Sequence, residues 1–232
     1  SKNINVINTP AASSSSVAEL VFAHLYGGVR FLHESNRNMP LEGDSNFKKL
    51  KKAYAKGVEL RGKTIGIIGF GRIGRETAKI ALGVGMNVLA YDKFLKETKI
   101  TLNFMGGNSI DFEIKISPLD ELLKKSDFIS LHVPAQNQYV IDKKEFELMK
   151  NGVGIVNAAR GGVINEVELV SALESGKVSF AGLDTFENEP KPEIKLLMHP
   201  NISLTPHIGA ATNEAQDRIG KELADQISNI LK

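Results

Sequence analysis

Apolar positions follow two rhythms along this chain. Near its start, Val17, Leu20, Val21, His24, Leu25 and Val29 recur at helical spacing behind the run Ser13–Ser16, which predicts one long helix. Ser16 with Glu19 three residues later has the form of a capping box, in which each side chain satisfies a free N–H of the first turn. An extended segment, Ile4–Ile7, precedes it. From Asn36 to Gly62 the chain turns polar and lysine-rich, broken by Pro40, Gly43 and Gly57, and an irregular surface arm is the expectation.

From Lys63 onward the rhythm changes to short apolar runs alternating with amphipathic stretches. The predicted strands are Thr64–Ile68, Asn87–Tyr91, Phe128–His132, Gly154–Asn157, Ser179–Leu183 and Ile202–Leu204. Helices are expected at Ile73–Val84, Leu119–Lys124, Lys143–Met149 and Glu166–Glu174, the last capped by Asn165 with Glu168 in the box position. Helical crossovers between strands force parallel pairing, so the expected fold is α/β, a Rossmann-type doubly wound parallel sheet. Lys93–Ser117 is ambiguous between helix and strand, and Asn213–Leu231 reads as one amphipathic helix. No internal repeat is present.

Composition narrows the partners. Hydrophobic residues make up 42% and charged residues 24% of the 232 residues, the balance of a folded globular protein. The 29 basic and 27 acidic residues leave a net charge of +2, with no lysine–arginine block that stands out as a nucleic-acid footprint, so nucleic acid is not an expected partner. There is no cysteine for a disulfide or thiolate site. The apolar runs Ile65–Phe70 and Ala81–Tyr91 are too short and glycine-broken to span a bilayer. No membrane partner is expected, and the cytoplasm is the expected compartment.

The first motif of chemical interest is Gly69-Phe70-Gly71-Arg72-Ile73-Gly74, set directly between a predicted strand and a predicted helix. In a dinucleotide fold the first glycine makes the tight turn. The second lets the backbone approach a pyrophosphate, and the third lets helix and strand pack closely. The helix N-terminus then faces the anion. Glycine turns at strand ends also serve plain chain reversal, but the strand–turn–helix context favours the phosphate reading. Asp92 ends the next strand, where a carboxylate accepts from ribose hydroxyls and repels a 2′-phosphate, so NAD rather than NADP is expected. Arg72 is a candidate further phosphate contact.

Three later strands each run into a polar signature: Asn157–Gly162, Asp184–Pro190 and Thr205–Ala210. Parallel strands bring all their carboxyl ends to one rim, so Arg160, Glu189 and His207 can converge beside the glycine turn. An arginine fork suits a substrate carboxylate, a histidine exchanges a hydroxyl proton, and a glutamate on the far ring nitrogen orients the imidazole. This set is chemically complete for oxidising an alcohol to a ketone. Taken singly, each has a plainer reading as a surface charge or a satisfied loop residue. On three consecutive strand ends of one fold, the catalytic reading prevails for Arg160 and His207. His24, His33, His132 and His199 read as packing or surface residues, with His132 alone also at a strand end.

The motifs Asn8–Pro10, Ser16–Glu19, Gly66–Gly74, Asp127–Pro134, Val156–Gly162, Asp184–Pro190 and Thr205–Ala210 resemble, in order and spacing, the D-isomer-specific 2-hydroxyacid dehydrogenase family. The resemblance implies that Arg160 binds the substrate carboxylate, His207 is the acid/base and Glu189 its partner. It also implies that Asp184 contacts the nicotinamide carboxamide. Cofactor contacts are implied at Gly69, Gly71, Arg72, Ile73, Gly74, Asp92, Val133, Pro134, Ala158, Ala159, Arg160, Asp184, His207, Gly209 and Ala210, with no metal. Asn5–Phe22 and Gly69–Asp92 most resemble the branch acting on 3-phosphoglycerate. Sibling branches acting on glyoxylate, hydroxypyruvate or D-lactate share the same triad, and corepressor relatives use the dinucleotide without turnover.

Family members carry a separate, flavodoxin-like substrate-binding domain, most of which would precede Ser1. The expected organisation is therefore a hinge strand over 1–9, an NAD-binding domain over 10–210 and a helix over 211–232 returning toward the substrate domain. By itself such a piece is expected to bind NAD and turn over poorly. The resemblance further implies a homodimer formed through the nucleotide domain, with the first helix and the 36–62 arm crossing to the partner.

Overall fold

The computed structural model describes residues 6–9 and 11–231. Its centre is one sheet of six parallel strands: β1 (Thr64–Ile68), β2 (Asn87–Tyr91), β5 (Phe128–Leu131), β6 (Val153–Asn157), β7 (Val178–Leu183) and β8 (Ile202–Leu204), in spatial order β2-β1-β5-β6-β7-β8. The expected strands are all present, shifted by no more than a residue at an end. Each central strand is apolar on both faces, as a sheet covered on both sides requires. Ile65, Ile67, Ile68, Ile129, Leu131, Ile155 and Val156 are all fully buried.

Helices cover both faces. On one, α1 (Ser14–Val29) lies across β6, β7 and β8 and packs on α4 (Arg72–Gly83). Val21, Leu25, Ile65, Ile67, Phe70, Val156 and Phe180 form the core there. The other face carries α5 (Leu119–Lys125), α6 (Lys143–Leu148), α7 (Glu166–Glu174) and the short α8 (Ile194–Leu197). Its core gathers Leu122, Ile129, Phe146, Ile155, Leu169 and Leu183. The chain closes with α9 (Asn213–Ile230), whose buried residue is Ala215.

Several expectations are corrected. The first helix begins three residues earlier than the box predicted, with Ser13 at the cap and no side-chain cap bond. Ser16 is free of that task because its hydroxyl pairs with Thr212 Oγ1 at 2.8 Å. The supposed irregular arm contains two helices, α2 (Leu32–Glu42) and α3 (Phe47–Ala53). Pro40 sits inside α2, near its end, where the loss of one N–H interrupts little. Lys93–Ser117 holds a hairpin of β3 (Glu97–Asn103) and β4 (Ser109–Lys115), packed on α4 and β2.

At α7, Asn165 caps as expected, accepting from the Val167 and Glu168 N–H groups. The return arm of the box is absent because the Asn165 N–H is spent on Ile141 O. A complete capping box occurs instead at α6, between Asp142 and Glu145. Of the predicted opening strand, Ile4 and Asn5 lie outside the described residues, as does Pro10, while Val6 and Ile7 belong to no strand. Among the described residues no helix is long and apolar enough to cross a membrane.

Candidate active site

All six strands point the same way, so one rim of the sheet collects every strand's carboxyl end. The glycine turn sits on it after β1, the second strand from one edge. Gly69 has φ +90°, and a Cβ there would stand 2.5 Å from His132 O, so only glycine makes this turn. A Cβ on Gly71 would meet nothing within 4 Å, which leaves its backbone open to an approaching ligand. A Cβ on Gly74 would run into Gly69 O, fixing the third position for close helix–strand contact. The three glycines thus divide the work as the motif requires, and Arg72 and Ile73 open α4 behind them, Arg72 exposed and Ile73 half-buried.

Asp92 stands beside this turn. Its Oδ2 accepts from Phe70 N–H at 2.9 Å and its Oδ1 from Phe94 N–H at 2.8 Å. The half-buried carboxylate is locked against the loop that a pyrophosphate would approach, with outward lone pairs left for ribose hydroxyls. The residues present therefore fit an adenosine-side dinucleotide cradle. Val133 borders the turn, its side chain 2.9 Å from where a Gly69 Cβ would lie, and Pro134 follows exposed. The His132 ring faces inward, its Nε2 within bonding distance of Ser130 Oγ (2.8 Å) and Thr77 Oγ1 (3.2 Å). Burial lowers its pKa to about 3, so it is a neutral structural ring, as expected.

After β6 the chain turns through Ala158 and Ala159, both buried. Asn157 builds that turn: its Oδ1 accepts from Ala159 N–H at 3.1 Å and its Nδ2 donates to Arg160 O at 2.9 Å. Asn157 was not among the predicted site residues, although a buried amide ending an apolar strand is a readable sign of a shaped turn. Arg160 itself is exposed, with Nη1 donating to Ala159 O at 2.6 Å.

The loops after β7 and β8 meet as expected. His207 Nδ1 lies 2.9 Å from Glu189 Oε2. Glu189 Oε1 meanwhile accepts from Phe186 N–H at 2.9 Å, so the carboxylate is held from both sides. Burial pushes the Glu189 carboxyl up, but the His207 hydrogen bond, the Phe186 N–H and the charges of His207 and Arg160 outweigh it and hold it below the usual range. His207 has φ +55°, a left-handed conformation unusual for a side chain of this size. Such strain persists only where the surroundings over-determine it, and it is found most often at functional sites.

Asp184 is buried at 1% exposure. Its Oδ1 accepts from Thr205 Oγ1 (2.6 Å) and Ile208 N–H (2.8 Å), and its Oδ2 from Gly209 N–H (2.8 Å). In this structure it braces the His207 turn. Gly209 packs closely there, since a Cβ would lie 3.0 Å from Asp184 Oδ2 and 3.3 Å from Val17 Cγ2. Ala210 follows, exposed on the rim. Sequence reading missed Glu166 as well, a buried acid at the start of α7 that bonds the main chain of Glu187. No group of three or more histidine or acidic residues among those described could hold a metal ion.

Comparison with known proteins agrees with this geometry. Residues 22–209 match the D-isomer specific 2-hydroxyacid dehydrogenase, NAD binding domain. A hydroxypyruvate reductase of Thermotoga maritima is 45% identical over 97% of this chain and 70% of its own length. A D-3-phosphoglycerate dehydrogenase of Methanocaldococcus jannaschii is 40% identical over 100% of this chain, which spans 42% of that relative. The crystal structure of a glyoxylate reductase from Paecilomyes thermophila superposes with a TM-score of 0.75 at 35% identity, covering 92% of this chain and 61% of that one. A glycine cradle, an acid at the second strand end and a histidine–glutamate pair on the same rim are thus joined to a match over most of the sequence: the chain belongs to the D-isomer specific 2-hydroxyacid dehydrogenase family and carries its NAD-binding domain.

Proposed function

We propose that the complete protein oxidises a D-2-hydroxy acid to the 2-oxo acid, with 3-phosphoglycerate as its substrate and 3-phosphohydroxypyruvate as its product. The observation that carries the reaction class is the 2.9 Å pair of His207 Nδ1 and Glu189 Oε2 on the rim that also holds Arg160 and the glycine cradle. Bound NAD supplies the hydride acceptor. Arg160 presents a planar fork to the substrate carboxylate. His207, with Nδ1 committed to Glu189, has Nε2 free to take the hydroxyl proton. Glu189 fixes the ring and stabilises the imidazolium that forms. Asp184, Ala158, Ala159, Gly209 and Ala210 lie along the same rim, where the nicotinamide half would rest.

The substrate rests on relatives rather than on geometry. Phosphoglycerate dehydrogenases at 35–41% identity support it. The 45% identity with a hydroxypyruvate reductase favours a second reading, reduction of hydroxypyruvate or glyoxylate by the same residues. NADH formation from D-3-phosphoglycerate by the full-length protein, against D-glycerate, D-lactate and 2-hydroxyglutarate, separates the two. Turnover of D-3-phosphoglycerate that is lost in His207→Ala supports the first reading. Preference for D-glycerate moves the substrate to the second, and NAD binding without any turnover would point to a dinucleotide-sensing scaffold.

We also propose a homodimer through the nucleotide domain. Leu32, Leu41 and Phe47 on the α2–α3 arm are more than half exposed, an apolar surface suited to a second copy. A monomeric mass at micromolar concentration would refute it. A cytoplasmic location, a hinge over residues 1–9 and a return of α9 toward a substrate domain belong to the same proposal.

A further inference from the structure

His24 lies in the middle of α1, is 3% exposed and takes no part in the chemistry above. Both of its ring nitrogens are nevertheless engaged, Nδ1 with Ser203 Oγ at 2.9 Å and Nε2 with Thr205 Oγ1 at 3.1 Å. The direction of each bond follows from Asp184. Asp184, as a carboxylate, can only accept, and Ile208 N–H and Gly209 N–H donate to its Oδ1 and Oδ2. Facing that acceptor at 2.6 Å, the Thr205 hydroxyl spends its one proton on Oδ1.

The rest of the order is forced. With its proton committed, Thr205 Oγ1 accepts from His24, which places a proton on Nε2. Burial, the leading influence, lowers the His24 pKa against the raising effect of Asp184, with His33 lowering it further, so the ring is neutral at pH 7. A neutral ring protonated at Nε2 has an acceptor at Nδ1, and Ser203 donates to it. The run of protons is Ser203 to His24 to Thr205 to Asp184, ending where Asp184 holds the N–H groups of Ile208 and Gly209. Those two residues flank the far side of His207. Past the turn, Ser16 Oγ of the same helix pairs with Thr212 Oγ1, so α1 grips both ends of the Pro206–Ala211 segment.

We infer that His24 is a positioning residue for His207: through Thr205 and Asp184 it fixes the turn that holds the acid/base imidazole in its left-handed backbone conformation. This rests on the dehydrogenase reading of the site. It assigns a role to a residue that lies in the hydrophobic stripe of α1.

Two substitutions in the full-length protein test it. His24→Gln keeps an amide donor near the Nε2 position and with it the bond to Thr205. His24→Asn reaches only the Nδ1 position, keeping Ser203 and losing Thr205. The expected result is a kcat within about threefold of wild type for His24→Gln and about tenfold or more below it for His24→Asn. KM for NAD should move less than about threefold in either. The Nδ1 proton resonance of His207, which reports its bond to Glu189, should shift or broaden in His24→Asn and be preserved in His24→Gln.

Wild-type kcat and an unchanged His207 resonance in His24→Asn would overturn the inference. So would a nitrogen spectrum of the wild type showing the His24 proton on Nδ1. If the wild type turns over no 2-hydroxy acid, the dehydrogenase reading falls, and the His207 resonance alone decides the positioning. Should His24→Asn fail to fold, Thr205→Val against Thr205→Ser repeats the comparison at the next link, with the loss expected in valine only.

Discussion

Glu166 and Glu187 hold each other by their main chains: Glu187 N–H donates to Glu166 Oε1 at 2.8 Å, and Glu166 N–H donates to Glu187 Oε1 at 3.1 Å. The reciprocal pair ties the start of α7 to the loop that carries Glu189. Tyr139 adds its hydroxyl to Glu187 Oε2 at 3.3 Å. The second oxygen of Glu166 is buried and has no partner. Burial pushes the Glu166 carboxyl up to about 7, the charges of Glu187, Glu193 and Glu189 adding to it against the Glu187 N–H bond.

A pH dependence of stability follows. The acid's folded pKa is raised, so the folded state keeps a proton that the unfolded chain loses near the ordinary value of 4.5. The contribution is fully present below that value and is lost as pH rises to about 7, a swing of at most about 3 kcal/mol. Glu166→Gln keeps the acceptor for Glu187 N–H and removes the ionisation. Its thermal midpoint should exceed that of the wild type at pH 8 by more than at pH 5. An equal difference at both values would show that Glu166 ionises normally.

The glycine turn separates folding from binding. A Cβ on Gly71 meets open space, whereas one on Gly74 collides with Gly69 O. Gly74→Ala should therefore destabilise the domain, by roughly 1–3 kcal/mol. Gly71→Ala should leave the thermal midpoint within about a degree or two and weaken NAD binding about tenfold or more, since it places a methyl where the backbone must approach the pyrophosphate. Calorimetric midpoints and NAD titrations on both variants check this. Equal loss of binding without loss of stability in Gly74→Ala would contradict the packing role.

How much of this could be read from the sequence depended on the range of the determining contact. The six strands were legible because Ile65, Ile67, Ile129 and Ile155 belong to apolar runs too short for a buried helix, as strands covered on both faces require. Arg160, Glu189 and His207 were legible because parallel strands bring their ends together whatever the loops do. The β3–β4 hairpin was legible and went unread: Ile100 and Leu102, then Ile110, Phe112 and Ile114, alternate with polar residues on either side of Gly106-Gly107, as a half-buried hairpin requires. The arm concealed α2 because Pro40 and its polar neighbours speak against a helix that Gly43 N–H and Met39 O nonetheless help to close. Ser16 looked like a cap until Thr212, far along the chain, claimed its hydroxyl. His24 looked like core for the same reason, since its partners Ser203 and Thr205 lie on the last strand and at its end.

The charge of Glu189 should matter beyond its hydrogen bond. Glu189→Gln retains an acceptor for His207 Nδ1 or for Phe186 N–H but carries no charge to stabilise an imidazolium. Kinetics of the full-length protein should show kcat reduced by roughly ten- to a hundredfold, with KM for NAD nearly unchanged. A variant as fast as the wild type would reduce Glu189 to a loop brace and leave the proton transfer to His207 without a charged partner.

Asp92 offers the last test, because its two roles have different signatures. As a brace it accepts from Phe70 and Phe94 N–H, and as a recognition group it would accept from the ribose and repel a 2′-phosphate. Asp92→Asn keeps an oxygen for one of the two N–H groups and removes the negative charge. If repulsion sets the cofactor preference, the NAD to NADP affinity ratio should fall by about tenfold or more, mostly through tighter NADP, with little change in thermal stability. If Asp92 only braces the loop, both affinities should weaken together and the thermal midpoint should drop. Fluorescence titration of the two reduced cofactors, read beside a melting curve, separates these outcomes, and an unchanged ratio would remove Asp92 from the specificity of the site.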